Sequence, residues 1–188
     1  MKRMILASGS PRRKELLQML EVPFEVLVSD TKEVITKNEP AEVTKELSYQ
    51  KAMAVAGQVE EGIIIGADTV VSIDGKILGK PADKEEAREM IYKLQGKSHM
   101  VYTGVTVIAK SGDMVSASSF AEGTKVNVAP MTENEIEAYI STDEPYDKAG
   151  AYGIQGLFGK FIEGIKGDYF NVVGLPVHRL YEELKKFD

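Results

Sequence analysis

Apolar positions along this chain follow two rhythms, short unbroken runs and stripes spaced three and four residues apart, which together predict a mixed α/β protein. Met4 to Ala7 is a run of strand length. Ser10 stands where a helix is capped and Pro11 at its first position, where a missing N–H costs nothing, with Leu16, Leu17 and Leu20 as the apolar stripe. Phe24 to Val28 alternates like a strand, Ser29 to Pro40 is polar and predicts a loop, and a helix from about Ala41 to Ala56 ends at Gly57.

Ile63 to Ile65 is the strongest central-strand signal, and it leads into Gly66-Ala67-Asp68-Thr69, where that strand is expected to end. Val70 to Ile73, a turn at Asp74-Gly75 and Lys76 to Leu78 read as a hairpin. Asp83 to Glu86 gives an acidic first turn to a helix with Ala87, Met90, Ile91 and Leu94 on one face and Gly96 beyond its end. Met100 to Ala109 and Val115 to Val128 predict long strands around a turn at Ser111-Gly112-Asp113. Thr132 and Glu135 form a capping box, with Met131 and Ile136 as its hydrophobic staple, and this helix stops before Pro145. Glycines then interrupt every apolar segment from Tyr146 to Gly174, which predicts loops. A closing helix from Pro176 carries the stripe Val177, Leu180, Leu184 and Phe187. With no linker or repeat, residues 1–188 are expected to form one domain of two lobes around a cleft.

Composition narrows the function classes. The 188 residues are 43% hydrophobic and 28% charged, the profile of a soluble globular protein, and the apolar runs are far shorter than the roughly 20 residues that span a bilayer. Ser8-Gly9-Ser10-Pro11 cuts the N-terminal apolar run too short for a secretory signal, so a cytoplasmic location is expected. With no cysteine there is no disulfide, thiol nucleophile or Cys-ligated metal, and the distant His99 and His178 read as structural. A net charge of −6 argues against binding along a nucleic-acid backbone.

Four constellations carry candidate chemistry. Ser8-Gly9-Ser10-Pro11-Arg12-Arg13 puts hydroxyls, unpaired N–H groups and guanidiniums at a strand-to-helix junction, suited to phosphate, although ordinary caps look the same. Asp68 is a carboxylate fit to hold a divalent cation or take a proton from water, or else a turn residue bonding its own backbone; Glu33 and Asp30 are candidate partners or plain surface charges. Lys51 and Lys80 are point charges for a polyphosphate, or simply solvated. In Asp147-Lys148-Ala149-Gly150-Ala151-Tyr152-Gly153-Ile154-Gln155-Gly156, the Gln155 amide is able to read a base edge, and Tyr152 lines a pocket or sits in the core. Gly75 to Pro81 fails as a Walker A loop, with Pro81 in place of the hydroxyl residue, and no Gly-x-Ser-x-Gly elbow occurs.

Taken in order, Leu6-Ala7-Ser8-Gly9-Ser10-Pro11-Arg12-Arg13, Gly66-Ala67-Asp68-Thr69-Val70-Val71, Leu78-Gly79-Lys80-Pro81, Thr103-Gly104-Val105 and the Asp147–Gly156 loop resemble the Maf family from end to end. The resemblance implies an α/β fold with a twisted mixed sheet and flanking helices, like inosine triphosphate pyrophosphatases. It also implies a homodimer, and metal-dependent hydrolysis of a nucleoside triphosphate to monophosphate and pyrophosphate as a house-cleaning reaction. The last loop is similar to the branch acting on dTTP and UTP. Residue by residue, it implies Asp68 as catalytic proton acceptor, Arg12, Thr69 and Gln155 as contacts that choose the substrate, and Ser8, Arg13, Lys51 and Lys80, with Glu33, as the polar cleft that binds it; the Mg²⁺ or Mn²⁺ of such a reaction is then expected on the Glu33 and Asp68 carboxylates. One carboxylate cannot both grip a cation and act freely as base, so the division of labour between Asp68 and Glu33 stays open at this point. The family's link to septum formation implies an alternative, a nucleotide-binding regulator of cell division acting through a protein partner.

Overall fold

A computed structural model describes residues 3–28 and 30–187. The protein is α/β: among the described residues seven strands form one mixed sheet in the order β2-β1-β3-β5-β6-β7, with β4 paired to β3, and six α-helices accompany it. The strands are β1 (Met4–Leu6), β2 (Phe24–Val26), β3 (Glu61–Ile73), β4 (Lys76–Leu78), β5 (Ser98–Ser111), β6 (Met114–Val128) and β7 (Ile162–Lys166). The helices are α1 (Pro11–Gln18), α2 (Pro40–Ala56), α3 (Lys84–Leu94), α4 (Glu133–Ile140), α5 (Tyr169–Val173) and α6 (Val177–Leu184). No helix of the described residues is long and apolar enough to cross a membrane.

The chain divides into two compact units, the first holding residues through Asp68, Thr103–Glu122 and those from Gly174, the second Thr69–Tyr102 and Gly123–Val173. In the first unit β1 runs parallel to both neighbours, with Met4 opposite Phe24 and Ile63. Ile5, Ile64, Ile108, Ala52 and Val55 form its core, all fully buried. Two glycines let α2 lie against the strands. A Cβ on Gly66 would stand 2.3 Å from the Ser48 carbonyl oxygen, and one on Gly104 would stand 2.2 Å from the Thr44 carbonyl carbon. Buried hydroxyls complete the contact, Ser48 Oγ meeting Thr106 Oγ1 at 2.8 Å and Thr106 meeting Ser119 at 2.8 Å.

The second unit has the larger aromatic core. Phe158 is fully buried, its ring centroid 4.8 Å from that of Tyr152, 5.1 Å from Tyr139 and 5.6 Å from Phe161. Burying such a side chain contributes about 1.5–3 kcal/mol. Both capped helices begin as the sequence predicts: Asp83 accepts the Glu86 N–H, and the Thr132/Glu135 box closes in both directions. Met131 and Ile136, the expected staple, both lie in this core.

Several elements differ from expectation. Ser10 holds the cap position of α1 without a side-chain cap bond, and α1 ends at Gln18, leaving Leu20 outside it. β2 stops at Val26 instead of Val28, and α2 follows the expected loop one residue early, at Pro40, with Glu39 in the cap position and no side-chain cap bond. Pro40 takes the first helical position, where its lack of an N–H is harmless. The glycine-rich stretch contains β7, α5, two 3-10 turns and the end of a third. In the last helix Glu183 is buried at 7% exposure while Leu184 is only half-buried, because the Ser118 hydroxyl and the Lys186 ammonium satisfy the carboxylate.

Candidate active site

Ser8, two residues past the end of β1, is nearly buried and works as a hub. Its hydroxyl accepts from the Ser10 N–H at 3.3 Å and from Arg13 Nη1 at 3.2 Å, while Arg13 Nε donates to the Gly174 carbonyl at 2.8 Å. Burial lowers the Arg13 pKa from the usual arginine value, and the nearby charges of Asp68 and Glu33 oppose that fall. A guanidinium stays charged regardless, so the junction presents a fixed positive group. Arg12 is half-exposed beside it.

Asp68 does not end a strand. It lies inside the thirteen-residue β3, nearly buried, and the turn reading is thereby excluded. Because Gly66 admits α2 so closely, Lys51 on that helix reaches the carboxylate: Nζ donates to Asp68 Oδ1 at 2.5 Å and pairs with Glu33 Oε1 at 3.0 Å. One ammonium thus bridges two carboxylates, with side-chain exposures of 27% for Lys51, 12% for Asp68 and 48% for Glu33. The first unit therefore brings together Ser8, Arg13, Lys51, Asp68 and Glu33. Asp30 is exposed.

Glu33 sits in an irregular, exposed segment tied to α2 by side chains that sequence reasoning missed. Gln50 pairs with both the N–H and the carbonyl of Val34, and Glu46 accepts from the N–H and hydroxyl of Thr36. Those Thr36 bonds, hydroxyl first, lower the Glu46 pKa.

The remaining predicted residues belong to the second unit. Thr69 follows Asp68 on β3 and is half-buried, and successive strand positions face opposite sides. Lys80 is exposed on the turn after β4, and Gln155 is exposed on the loop after α4. A backbone bond from the Gly150 N–H to the Gly79 carbonyl, 2.9 Å, joins these two turns. Gly150 has φ +69° and its absent Cβ would stand 2.8 Å from a Val71 methyl, so glycine is required twice over. Glu144 anchors the far side, accepting the Leu157 N–H at 2.7 Å and the Phe158 N–H at 3.3 Å. Tyr152 is core, not pocket lining: it is 5% exposed and its hydroxyl meets His99 Nε2 at 2.6 Å. Burial lowers the His99 pKa to about 4.

Among the described residues no three His, Asp or Glu side chains are grouped as a ready-made metal centre. The Asp68 and Glu33 carboxylates, both paired with one ammonium, nevertheless offer the oxygen donors that suit Mg²⁺, a hard cation commonly held by one or two carboxylates together with substrate phosphates and water. Lys51 already places one positive charge between them.

The family model described as Maf-like protein matches residues 3–187. A Bacillus cytotoxicus protein named dTTP/UTP pyrophosphatase is 53% identical over all of this chain and 97% of its own length. A Bacillus cereus protein of the same name is 50% identical over the same shares. Among solved structures, the Staphylococcus aureus Ham1 protein aligns along the full length of both chains with a TM-score of 0.55 at 13% identity, a likeness of fold.

Proposed function

The chain belongs to the Maf-like family, and on that premise we propose that it is a nucleoside triphosphate pyrophosphatase that hydrolyses dTTP and UTP to the monophosphate and pyrophosphate. The single observation that carries the site assignment is the Lys51 ammonium bridging Asp68 and Glu33 beside the Ser8–Arg13 junction. Such a set combines a carboxylate able to take a proton with cations able to hold phosphate.

In the proposed step a water oxygen bonds to the α-phosphorus while the bond from that phosphorus to the α–β bridging oxygen breaks. One proton of the water passes to Asp68, and pyrophosphate leaves with the bridging oxygen. Asp68 orients the water from a position that β3 and Lys51 make rigid. Arg12, Arg13, Lys51 and Lys80 offset the charge of the triphosphate, and Ser8 keeps Arg13 aimed. With Asp68 as the base, Glu33 is the carboxylate that would hold Mg²⁺ or Mn²⁺, which would supply further charge neutralisation at the phosphates when bound. Thr69 and Gln155 contribute to nucleotide selection, Gln155 through an exposed amide that can donate to and accept from a base edge.

Pyrophosphate release from a panel of nucleoside triphosphates with Mg²⁺ or Mn²⁺ tests this reading, with Asp68→Asn beside the wild type. Turnover of dTTP and UTP that collapses in the variant is expected. Equal turnover by the two proteins would overturn the role of Asp68, and no turnover of any nucleotide would overturn the activity. Sedimentation of the same preparation reads the homodimer that the family resemblance implies.

A further inference from the structure

The segment that carries Glu33 has nothing apolar to hold it. Every residue from Asp30 to Glu39 is exposed, Val34 and Ile35 at 55% and 59%, and the stretch is neither helix nor strand. Its position therefore rests on polar contacts, and those made by Glu33, Val34 and Thr36 come from α2. Glu46 and Gln50, one turn apart, grip Thr36 and Val34, and Lys51 follows with its bond to Glu33. The Gln50 contact is the most directional of the three. Its Oε1 accepts the Val34 N–H at 2.9 Å and its Nε2 donates to the Val34 carbonyl at 2.7 Å, so a side-chain amide pairs with the backbone as a neighbouring strand would.

We propose that Gln50 is a positioning residue whose amide, by pairing with Val34, sets the Glu33 carboxylate against Lys51 and Asp68. This inference rests on the assignment of Glu33 to the cation site made above. Gln50 touches no reacting atom. It acts through the next residue of the loop: its amide fixes the backbone of Val34 on both sides, and Glu33 directly precedes Val34. Glutamate at this position keeps the shape but has no N–H to give the Val34 carbonyl and sets an anion against it.

The test is a double-mutant cycle on Gln50→Ala and Glu33→Gln, read as the Mg²⁺ concentration giving half-maximal hydrolysis of UTP, with amide hydrogen exchange of Val34 measured on the metal-free proteins. Gln50→Ala should raise the half-activating Mg²⁺ concentration about tenfold, the scale of losing two neutral hydrogen bonds, with a smaller change in kcat. It should also speed exchange at the Val34 N–H, and Gln50→Glu should do both. In the Glu33→Gln background the Gln50 substitution should add nothing further to the Mg²⁺ requirement. Unchanged Val34 exchange, or a full tenfold effect that persists without the Glu33 carboxylate, would overturn the role of Gln50. If Glu33→Gln itself leaves the Mg²⁺ requirement unmoved, the assignment of Glu33 fails first and the inference fails with it.

Discussion

Lys51 reaches Asp68 at 2.5 Å because Gly66, two residues before that carboxylate, has no side chain to hold α2 away. An added methyl would stand 2.3 Å from the Ser48 carbonyl oxygen and 2.9 Å from the Ala52 Cβ, both below any ordinary contact. Helix backbone cannot swing aside as a flexible side chain can. Gly66→Ala should therefore destabilise the fold by about 1–3 kcal/mol and cut pyrophosphate release, as the overpacked helix shifts Lys51. Gly79→Ala is the control, since its added Cβ meets nothing within 4 Å. Its urea midpoint should match the wild type, and equal midpoints for all three proteins would refute the close-packing argument.

Removing the ammonium separates stability from chemistry. Lys51→Met leaves Asp68, with 12% of its side chain exposed, without its cation. Residual solvent at the site limits the cost to about 1–2 kcal/mol, below that of a fully dry pair. Asp68→Asn added to Lys51→Met should restore most of that stability and none of the activity. Chemical denaturation and pyrophosphate assays on the four proteins decide it. A double variant as unstable as Lys51→Met would show that the lone carboxylate is not the source of the loss.

Those two sites also show where the sequence was readable. The strands and helices from β1 to α4, including both capped helices, follow from local pattern, because capping and apolar periodicity are local physics, whereas Ser8, Arg13, Lys51 and Asp68 stand out as a set only through the ordered motifs of the family resemblance. Asp68 was misread as a strand end. Gly66-Ala67-Asp68-Thr69 breaks the apolar run, yet its small residues are what let α2 cover β3, a reason found only in the packed pair. β7 hides in a glycine-rich stretch because its ladder is supplied by β6, with Lys125 opposite Lys166 and a bulge at Asn127/Val128. Gln50 looks like any solvated polar residue on a helix. Its partner is a backbone amide sixteen positions away, and no side-chain pattern encodes that.

His99 gives a pH signature. Its folded pKa of about 4 lies below the ordinary 6.5 because burial disfavours the charged ring, and Nδ1 has no hydrogen-bond partner to receive an added proton's N–H. Between those two values the unfolded chain takes up a proton that the folded chain refuses. The His99 contribution to stability is therefore complete above pH 6.5, is lost as pH falls from 6.5 toward 4, and changes no further below that. The full difference is on the order of 3 kcal/mol. His99→Gln keeps a polar group facing Tyr152 without the titration, so its urea midpoint should fall less than that of the wild type between pH 7 and pH 4.5. Parallel curves would mean that protonated His99 is accommodated in the fold.

Lys80 and Gln155 stand on turns joined by the Gly150–Gly79 backbone bond, yet their chemistry predicts separable effects. An exposed ammonium acts on a triphosphate as a point charge, the same for every base. Lys80→Met should raise KM for dTTP, UTP and dGTP by a similar factor, and the effect should shrink as salt screens the charge. A side-chain amide instead distinguishes donor from acceptor positions on a base edge, at about 1 kcal/mol per neutral hydrogen bond. Gln155→Ala should lower kcat/KM for UTP and dTTP roughly fivefold while leaving dGTP nearly unchanged, narrowing the preference by the same factor. Substitution of Gln155 that scales all three nucleotides equally would remove it from base selection. The narrowed preference would assign selectivity to the loop that Gly150 and Glu144 hold in place, and general phosphate affinity to the turn beside it.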